Sequence, residues 1–311
     1  MATAADLRRR GRPLTPAHET RRGILYGVLA YGWWGFIALY FRAVQSVTPL
    51  EVLAHRIIWS ALLLLLLLAA RGRLRDLAAA VRHRRTLLTL AASTVLIAVN
   101  WYVFIVAVTT GHVLQASLGY YINPLVNVLL GFLFLGERLR AAQRWSVLLA
   151  AVGVAWLGVS FGEVPVVALV LATSFGLYGL LRKTVRADAL TGLAFETLLL
   201  LPAAALFLVR AHAAGQLAFL HRSSRLDLLL VAAGPITALP LLWFANAARR
   251  LRLATLGFLQ YLSPSLQFLL AVTVFGERFT PAHRVAFACI WTALAIYTAD
   301  AVRASRAPAR P

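Results

Sequence analysis

The 311-residue chain is 61% hydrophobic and only 14% charged, with a mean hydropathy of +0.77, whereas a soluble domain carries about a quarter charged residues and just under half apolar ones. Its 31 Lys and Arg against 11 Asp and Glu give a net charge of +20, and Cys289 is the one cysteine. These values exclude an ordinary soluble domain, an internal disulfide and a cysteine-cluster metal site, and they predict a polytopic membrane protein.

Residues 1–22 hold Arg8, Arg9, Arg10, Arg12, Arg21 and Arg22 and are too polar to span, so they read as a basic cytoplasmic tail. Ten apolar runs of spanning length follow, at about 23–42, 50–70, 87–108, 112–135, 144–160, 163–181, 190–209, 227–248, 253–275 and 284–300. No small-residue cleavage signature follows the first run, which predicts an uncleaved helix. Links such as Thr109-Thr110-Gly111 and Gly162-Glu163 leave no room for soluble domains, and the leucine run Leu62 to Leu68 lacks the alternation of a barrel strand. The fold class predicted is an all-α integral membrane protein of ten transmembrane helices.

With both termini placed inside, the cytoplasmic segments collect the tail arginines, Arg71 to Arg85 between the second and third spans, Arg138 to Arg144, Arg182 to Arg186, Arg249 to Arg252, and Arg303, Arg306 and Arg310. The other face receives Arg42, Arg210, Arg222, Arg225, Arg278 and Arg284, while Arg56 lies inside a span. The positive-inside rule selects this orientation. The charge is therefore a topology signal, and the expected partners are the lipid bilayer and a small-molecule substrate, with no nucleic acid; a homodimer is left open.

At an offset of 140, residues 116–139 lie over 256–279 without a gap: Tyr121 meets Tyr261, Pro124 meets Pro264, and Gly136-Glu137-Arg138 meets Gly276-Glu277-Arg278. The register extends to Phe104 over Phe244 and Leu53-Ala54 over Leu193-Ala194, and fades at the first and sixth spans. Two repeats, 23–160 and 163–300, each of five crossings, must enter the membrane from opposite sides, with residues 301–311 left as a second cytoplasmic tail. Inverted repeats of this kind build secondary transporters with a site near the midplane between the halves.

The stretches Ala30-Tyr31-Gly32-Trp33-Trp34-Gly35-Phe36, Glu51-Val52-Leu53-Ala54-His55-Arg56, Asn100-Trp101-Tyr102, Ala116 to Leu125, Ser174 to Gly179 and Gly257-Phe258-Leu259-Gln260-Tyr261 give the chain a specific likeness from about residue 22 to 300. On these residues it resembles the EamA family of the drug/metabolite transporter superfamily. The resemblance implies a ten-helix protein of a bacterial inner membrane that exports or exchanges a small organic solute, and it names no substrate.

Ionisable groups inside spans cost a few kcal/mol each and need a reason. Arg56, roughly 9 Å below the outer boundary, and Glu196, its counterpart at the offset, are candidates for substrate contact. Arg56 would take an anionic group, with Glu196 taking a proton or a cationic group; alternatively the two form a gate, or Arg56 pairs with Glu51 or snorkels outward and Glu196 only ties helices together. Their depths differ by about 12 Å in a ~30 Å core, so a direct bond is not assured. Glu51 and His55 share a helix face and join Glu196 as coupling candidates. Gln115, Gly119, Asn123 and Asn127 form a polar stripe that recurs as Thr255, Leu259, Ser263 and Gln267. Pro124 and Pro264 are predicted kinks that free backbone carbonyls. Around them Tyr121, Asn123, Gln260 and Ser263 are candidate substrate contacts and Trp101 and Tyr102 candidate walls; the same side chains also suit interhelical hydrogen bonding. Each Gly-Glu-Arg reads as a helix stop and interfacial ion pair.

The seven histidines show no metal-ligand spacing, and the sequence contains no Walker glycine loop or paired acids. The expectation is therefore a non-enzyme without cofactor or metal, driven by a gradient or by exchange. A non-transporting structural or sensory membrane protein, and a lipid-modifying membrane enzyme, are the alternatives.

Overall fold

A computed structural model describes residues 16–109, 113–160, 166–274 and 281–306, apart from a few side chains within them. The tail arginines Arg8 to Arg12, the links at 110–112 and 161–165, and Gly276-Glu277-Arg278 lie outside the described residues, as does the side chain of Gln115.

The described residues form helices joined by short turns and loops, with no strand among them. The elements are α1 (Pro16–Ala43), α2 (Pro49–Ala70), α3 (Leu74–Arg82), α4 (Arg84–Thr109), α5 (Val113–Leu135), α6 (Ala141–Ser160), α7 (Val166–Thr184), α8 (Ala189–Ala213), α9 (Ser224–Arg250), α10 (Leu253–Gln260), α11 (Leu262–Thr273) and α12 (Pro281–Arg306). Local chemistry fixes their ends. Thr48 caps α2 by accepting the Glu51 amide at 3.4 Å, ahead of Pro49 at the first helical position, where its missing N–H costs nothing. Asp188 accepts the Leu190 and Thr191 amides at 3.0 and 3.3 Å at the start of α8. At the far end of α2, Gly72 adopts φ +64° and lets the Arg73 amide reach back to the Leu68 carbonyl at 2.8 Å, a closure that a left-handed glycine makes available.

Eight of the described helices are long and apolar enough to cross a membrane. The other two predicted spans fall on α5, whose apolar part runs Gly119–Leu135, and on the pair α10 and α11. That ninth segment is broken at Tyr261, beside Pro264, which has no N–H to return to the Gln260 carbonyl. Large apolar side chains such as Leu66, Phe132, Phe134 and Trp145 are exposed around the bundle; in water this surface would drive aggregation, and in lipid it is solvated. Between α2 and α4 the chain forms the short helix α3, within what reads as a basic loop.

Most packing is between the first and second halves of the chain. α5 lies on α7, α1 on α9, α2 on α8 and α9, α4 on α7 and α8, α5 on α10, α1 on α11, and α6 on α12. Close approach needs small residues: a Cβ on Gly257 of α10 would come within 2.7 Å of the Pro124 carbonyl of α5, so only glycine lets these two helices cross at that depth.

Candidate functional site

The crossing of α5 with α10 and α11 carries a chain of buried amides. Asn127 Nδ2 donates to Asn123 Oδ1 at 3.0 Å and to Gln260 Oε1 at 3.2 Å, and Asn123 Nδ2 donates to the Ala172 carbonyl at 2.6 Å. Asn100 of α4 donates to the Leu171 carbonyl and Ser174 Oγ at 2.9 and 3.0 Å. Gln267 Nε2 bonds the Trp34 carbonyl at 2.9 Å and Ser263 Oγ at 3.4 Å. The two prolines meet here as well: Tyr121 donates to the Pro264 carbonyl at 3.5 Å, while Gly257 sits against the Pro124 carbonyl. Between Asn100, Tyr120, Asn123, Leu171, Phe175 and Gln260 there is a void of about 10 Å³, enough for one water. In this conformation the polar centre is closed.

Arg56 stands about two turns into α2. Its Nε donates to Thr237 Oγ1 of α9 at 2.9 Å, and its guanidinium carbon lies 5.2 Å from the Trp101 ring centroid and 5.7 Å from that of Phe41. Phe41 in turn packs on the Tyr40 ring at 5.6 Å and, through Phe104, leads to Tyr120. No carboxylate among the described residues lies within 4.0 Å of it.

Glu196 is placed differently. Oε1 accepts from Ser93 Oγ at 2.5 Å and from Arg182 Nη1 at 3.4 Å, and Oε2 accepts from the Tyr178 hydroxyl at 3.1 Å. The Arg182 and Glu196 side chains are 1% and 2% exposed. Arg182 Nη2 also donates to the Ala189 carbonyl at 3.1 Å. The structure therefore does not bring Arg56 and Glu196 together; Arg182, read from sequence as a cytoplasmic anchor, is the buried partner. It carries no sequence signal of burial, because an Arg-Lys pair closing an apolar run is what a helix end in the headgroups also looks like.

The remaining candidates are distributed as follows. Glu51 accepts the Ala218 and Phe219 amides at 2.8 and 3.0 Å and thereby pins the α8–α9 connection to α2. His55 Nδ1 accepts from Trp59 Nε1 at 3.1 Å, so the proton of its neutral ring is on Nε2, which is buried with no partner among the described residues. Trp101 forms one wall of the Arg56 site, while Tyr102 is 60% exposed on the outside of the bundle. Glu137 caps α10 by accepting the Leu253 and Ala254 amides at 2.8 and 3.2 Å, and its ion pair is with Arg252 at 3.7 Å. Thr237, Asn100, Ser93 and the aromatic cluster of Tyr31, Trp34, Phe175, Tyr178 and Phe244 complete the two charged sites and the void, and spacing alone singles out none of them.

Outside the spans, Arg73 joins Asp76 at 2.6 Å and Asp188 at 2.7 Å, tying α3 to the start of α8. Burial opposes ionisation of Asp188, but hydrogen bonds from Thr191 and Arg73 outweigh it and hold the carboxyl below its ordinary range. A carboxylate lowered on folding stabilises the fold above its unfolded value and loses that contribution as pH falls through the folded one. Asp188→Ala is expected to cost about 1 kcal/mol near neutral pH through the lost cap. Unfolding profiles of the two proteins should converge as the medium is made acidic.

A profile of the EamA-like transporter family matches residues 21–159. A protein of Vibrio cholerae named "Uncharacterized transporter" is 49% identical over 298 residues, 96% of this chain and 99% of that protein. "Protein RarD" of Escherichia coli K12 is 45% identical over 290 residues, 93% of this chain and 98% of that protein. A protein of known crystal structure shares the fold with a TM-score of 0.69 at 23% identity, over 89% of this chain and 97% of that one.

Proposed function

The chain belongs to the EamA-like transporter family as a RarD-like protein, and from that premise we propose that it is a secondary transporter moving a small organic solute across a bacterial inner membrane by alternating access. The observation that carries this reading is the buried amide chain where α5, a helix with Pro124 inside it, crosses the broken segment of α10 and α11, with a void beside it. Non-ideal backbone at membrane depth is tolerated where it lines a cavity, and a site between halves is where inverted repeats put their substrate.

Two inverted units, 23–160 and 163–300, account for the packing. Exchanging the halves turns the contact of α5 with α7 into that of α11 with α1, the contact of α1 with α9 into that of α7 with α4, and the contact of α2 with α9 into that of α8 with α4; all six are observed. Tyr121 reaches the Pro264 carbonyl, whereas its counterpart Tyr261 is buried with no partner for its hydroxyl among the described residues. In the opposite state the roles exchange, and Tyr261 takes the Pro124 carbonyl. A buried hydroxyl left unpaired costs about 1–3 kcal/mol, so each state leaves one such group for the other to satisfy. The termini lie on the cytoplasmic side, as the arginine distribution requires, and transport is driven by a solute or proton gradient, as export or exchange.

The test is a panel of metabolites and drugs in proteoliposomes holding the purified full chain. Flux of at least one solute above protein-free liposomes, under an imposed gradient or in exchange, is expected. No protein-dependent flux under either condition would count against transport and favour a structural or sensory role.

A further inference from the structure

The two charges at repeat-equivalent positions, Arg56 and Glu196, have opposite needs. Glu196 receives its counter-ion from the chain itself, Arg182 at 3.4 Å, together with two hydroxyl donors. Arg56, 140 residues earlier, has a neutral hydroxyl, Thr237 Oγ1, and two aromatic faces, and no carboxylate of the described residues within 4.0 Å. A guanidinium cannot discharge itself by losing a proton; the half-buried Arg56 charge is met by one hydroxyl and two ring faces, and an anion would be its stronger partner. The protein supplies that anion on one side of the pseudo-symmetry and leaves it to be supplied on the other.

The surroundings show where such an anion would come from. At the end of the bundle formed by the α1–α2 and α8–α9 connections lies a cavity of about 340 Å³, lined by Ser46, Arg222, Ser223, Arg225 and Leu229 among others. Tyr40 donates to the Leu229 carbonyl on the cavity wall at 3.3 Å, and its ring packs at 5.6 Å on that of Phe41, which Arg56 faces at 5.7 Å. Phe41 also meets Phe104 at 6.4 Å, which meets Tyr120 at 6.2 Å, and Tyr120 lines the central void with Asn123 and Gln260. A row of rings thus runs from the wall of the arginine-lined cavity past Arg56 to the void. Charges of one sign lining a surface cavity concentrate the opposite sign there.

We infer that the transported solute is a small organic anion, gathered at the cavity of Arg222 and Arg225 and neutralised at Arg56, with its uncharged part hydrogen-bonded by Asn123 and Gln260. The inference rests on the reading of the chain as a transporter and narrows it to one charge class. A planar carboxylate matches the guanidinium fork in two parallel hydrogen bonds, and the rings of Phe41, Trp101 and Tyr120 suit a flat apolar body.

Three isosteric probes separate charge from shape: benzoate, benzamide and benzylamine, applied to the purified full chain in detergent and read by thermal unfolding, which a ligand of the folded state shifts upward. Benzoate is expected to raise the unfolding temperature in a saturable manner, and the neutral and cationic probes to leave it unchanged. Arg56→Gln should weaken benzoate about tenfold or more, while Arg56→Lys, which keeps the charge without the fork, should retain measurable binding. The double variant Arg222→Gln, Arg225→Gln should weaken it at low salt and converge with the wild type at high salt. Equal shifts from all three probes, no shift from benzoate at millimolar concentrations, or a benzoate shift that survives Arg56→Gln would overturn the anion assignment. The transport reading fails separately: cysteines at 123 and 263 that never become accessible from both membrane faces would remove it whatever the probes do.

Discussion

Arg56→Gln is expected to lower protein-dependent flux in proteoliposomes by roughly 30-fold or more while the variant still inserts and purifies. Truncating one partner of a buried charged contact costs about 2–5 kcal/mol, and each 1.36 kcal/mol is about a factor of ten. The loss should fall on transport and not on folding, because the one hydrogen bond of Arg56 to the described residues is to Thr237 and its charge has no internal counter-ion there. Thr237→Val provides the contrast. It removes one neutral hydrogen bond of about 1 kcal/mol and leaves the cation in place, so it should cost only a few-fold. Flux in Arg56→Gln equal to that of the wild type would take Arg56 out of the mechanism.

Arg182→Gln should act in the opposite way, on stability first. With both side chains almost wholly enclosed, removing one member of the pair leaves an uncompensated charge, a loss of about 3–5 kcal/mol. Replacing both members by apolar residues of similar volume should recover most of it, since the desolvation of two ions then disappears together. The backbone around the pair has been kept clear for it: a Cβ at position 192 would fall 2.0 Å from Arg182 Nη1. Gly192→Ala should therefore displace the guanidinium and reproduce the behaviour of Arg182→Gln. Denaturant unfolding in detergent decides the matter, and an Arg182→Gln protein as stable as the wild type would show that the contact carries no net stability.

How far the sequence could be read follows from what kind of signal each feature leaves. Membrane spans leave long apolar runs, and the described part of each predicted run is helical apart from the break at Tyr261. The break at Tyr261 was only half legible: Pro264 marks a weakness, but where the helix opens depends on α5 and α1 packed alongside. Helix α3 escaped because its apolar residues, Leu74, Leu77 and Ala78, repeat with helical spacing over too short a stretch to register between arginines. The polar stripe of Asn123 and Asn127 was visible as a four-residue spacing, and the structure joins it to Gln260 through hydrogen bonds. Glu51 and His55 share a face as the spacing required. Yet what Glu51 binds are amides of Ala218 and Phe219, far along the chain, and such a partner has no local signature. Arg182 was hidden for a related reason. Hydropathy counts a charge without asking whether a carboxylate on the next helix meets it.

The central claim is that the closed amide cluster opens alternately to the two faces of the membrane. It is tested most directly by Asn123→Cys and Ser263→Cys, made one at a time in a Cys289→Ser background and challenged with a membrane-impermeant maleimide from each face of oriented vesicles. Asn123 and Ser263 are 1% and 7% exposed in the closed structure, so labelling at either requires another conformation. Labelling of both positions from both faces, with the balance shifted by imposing a solute gradient, is the predicted result. Positions that remain unlabelled from either face, or that label from one face only under every gradient, would contradict alternating access.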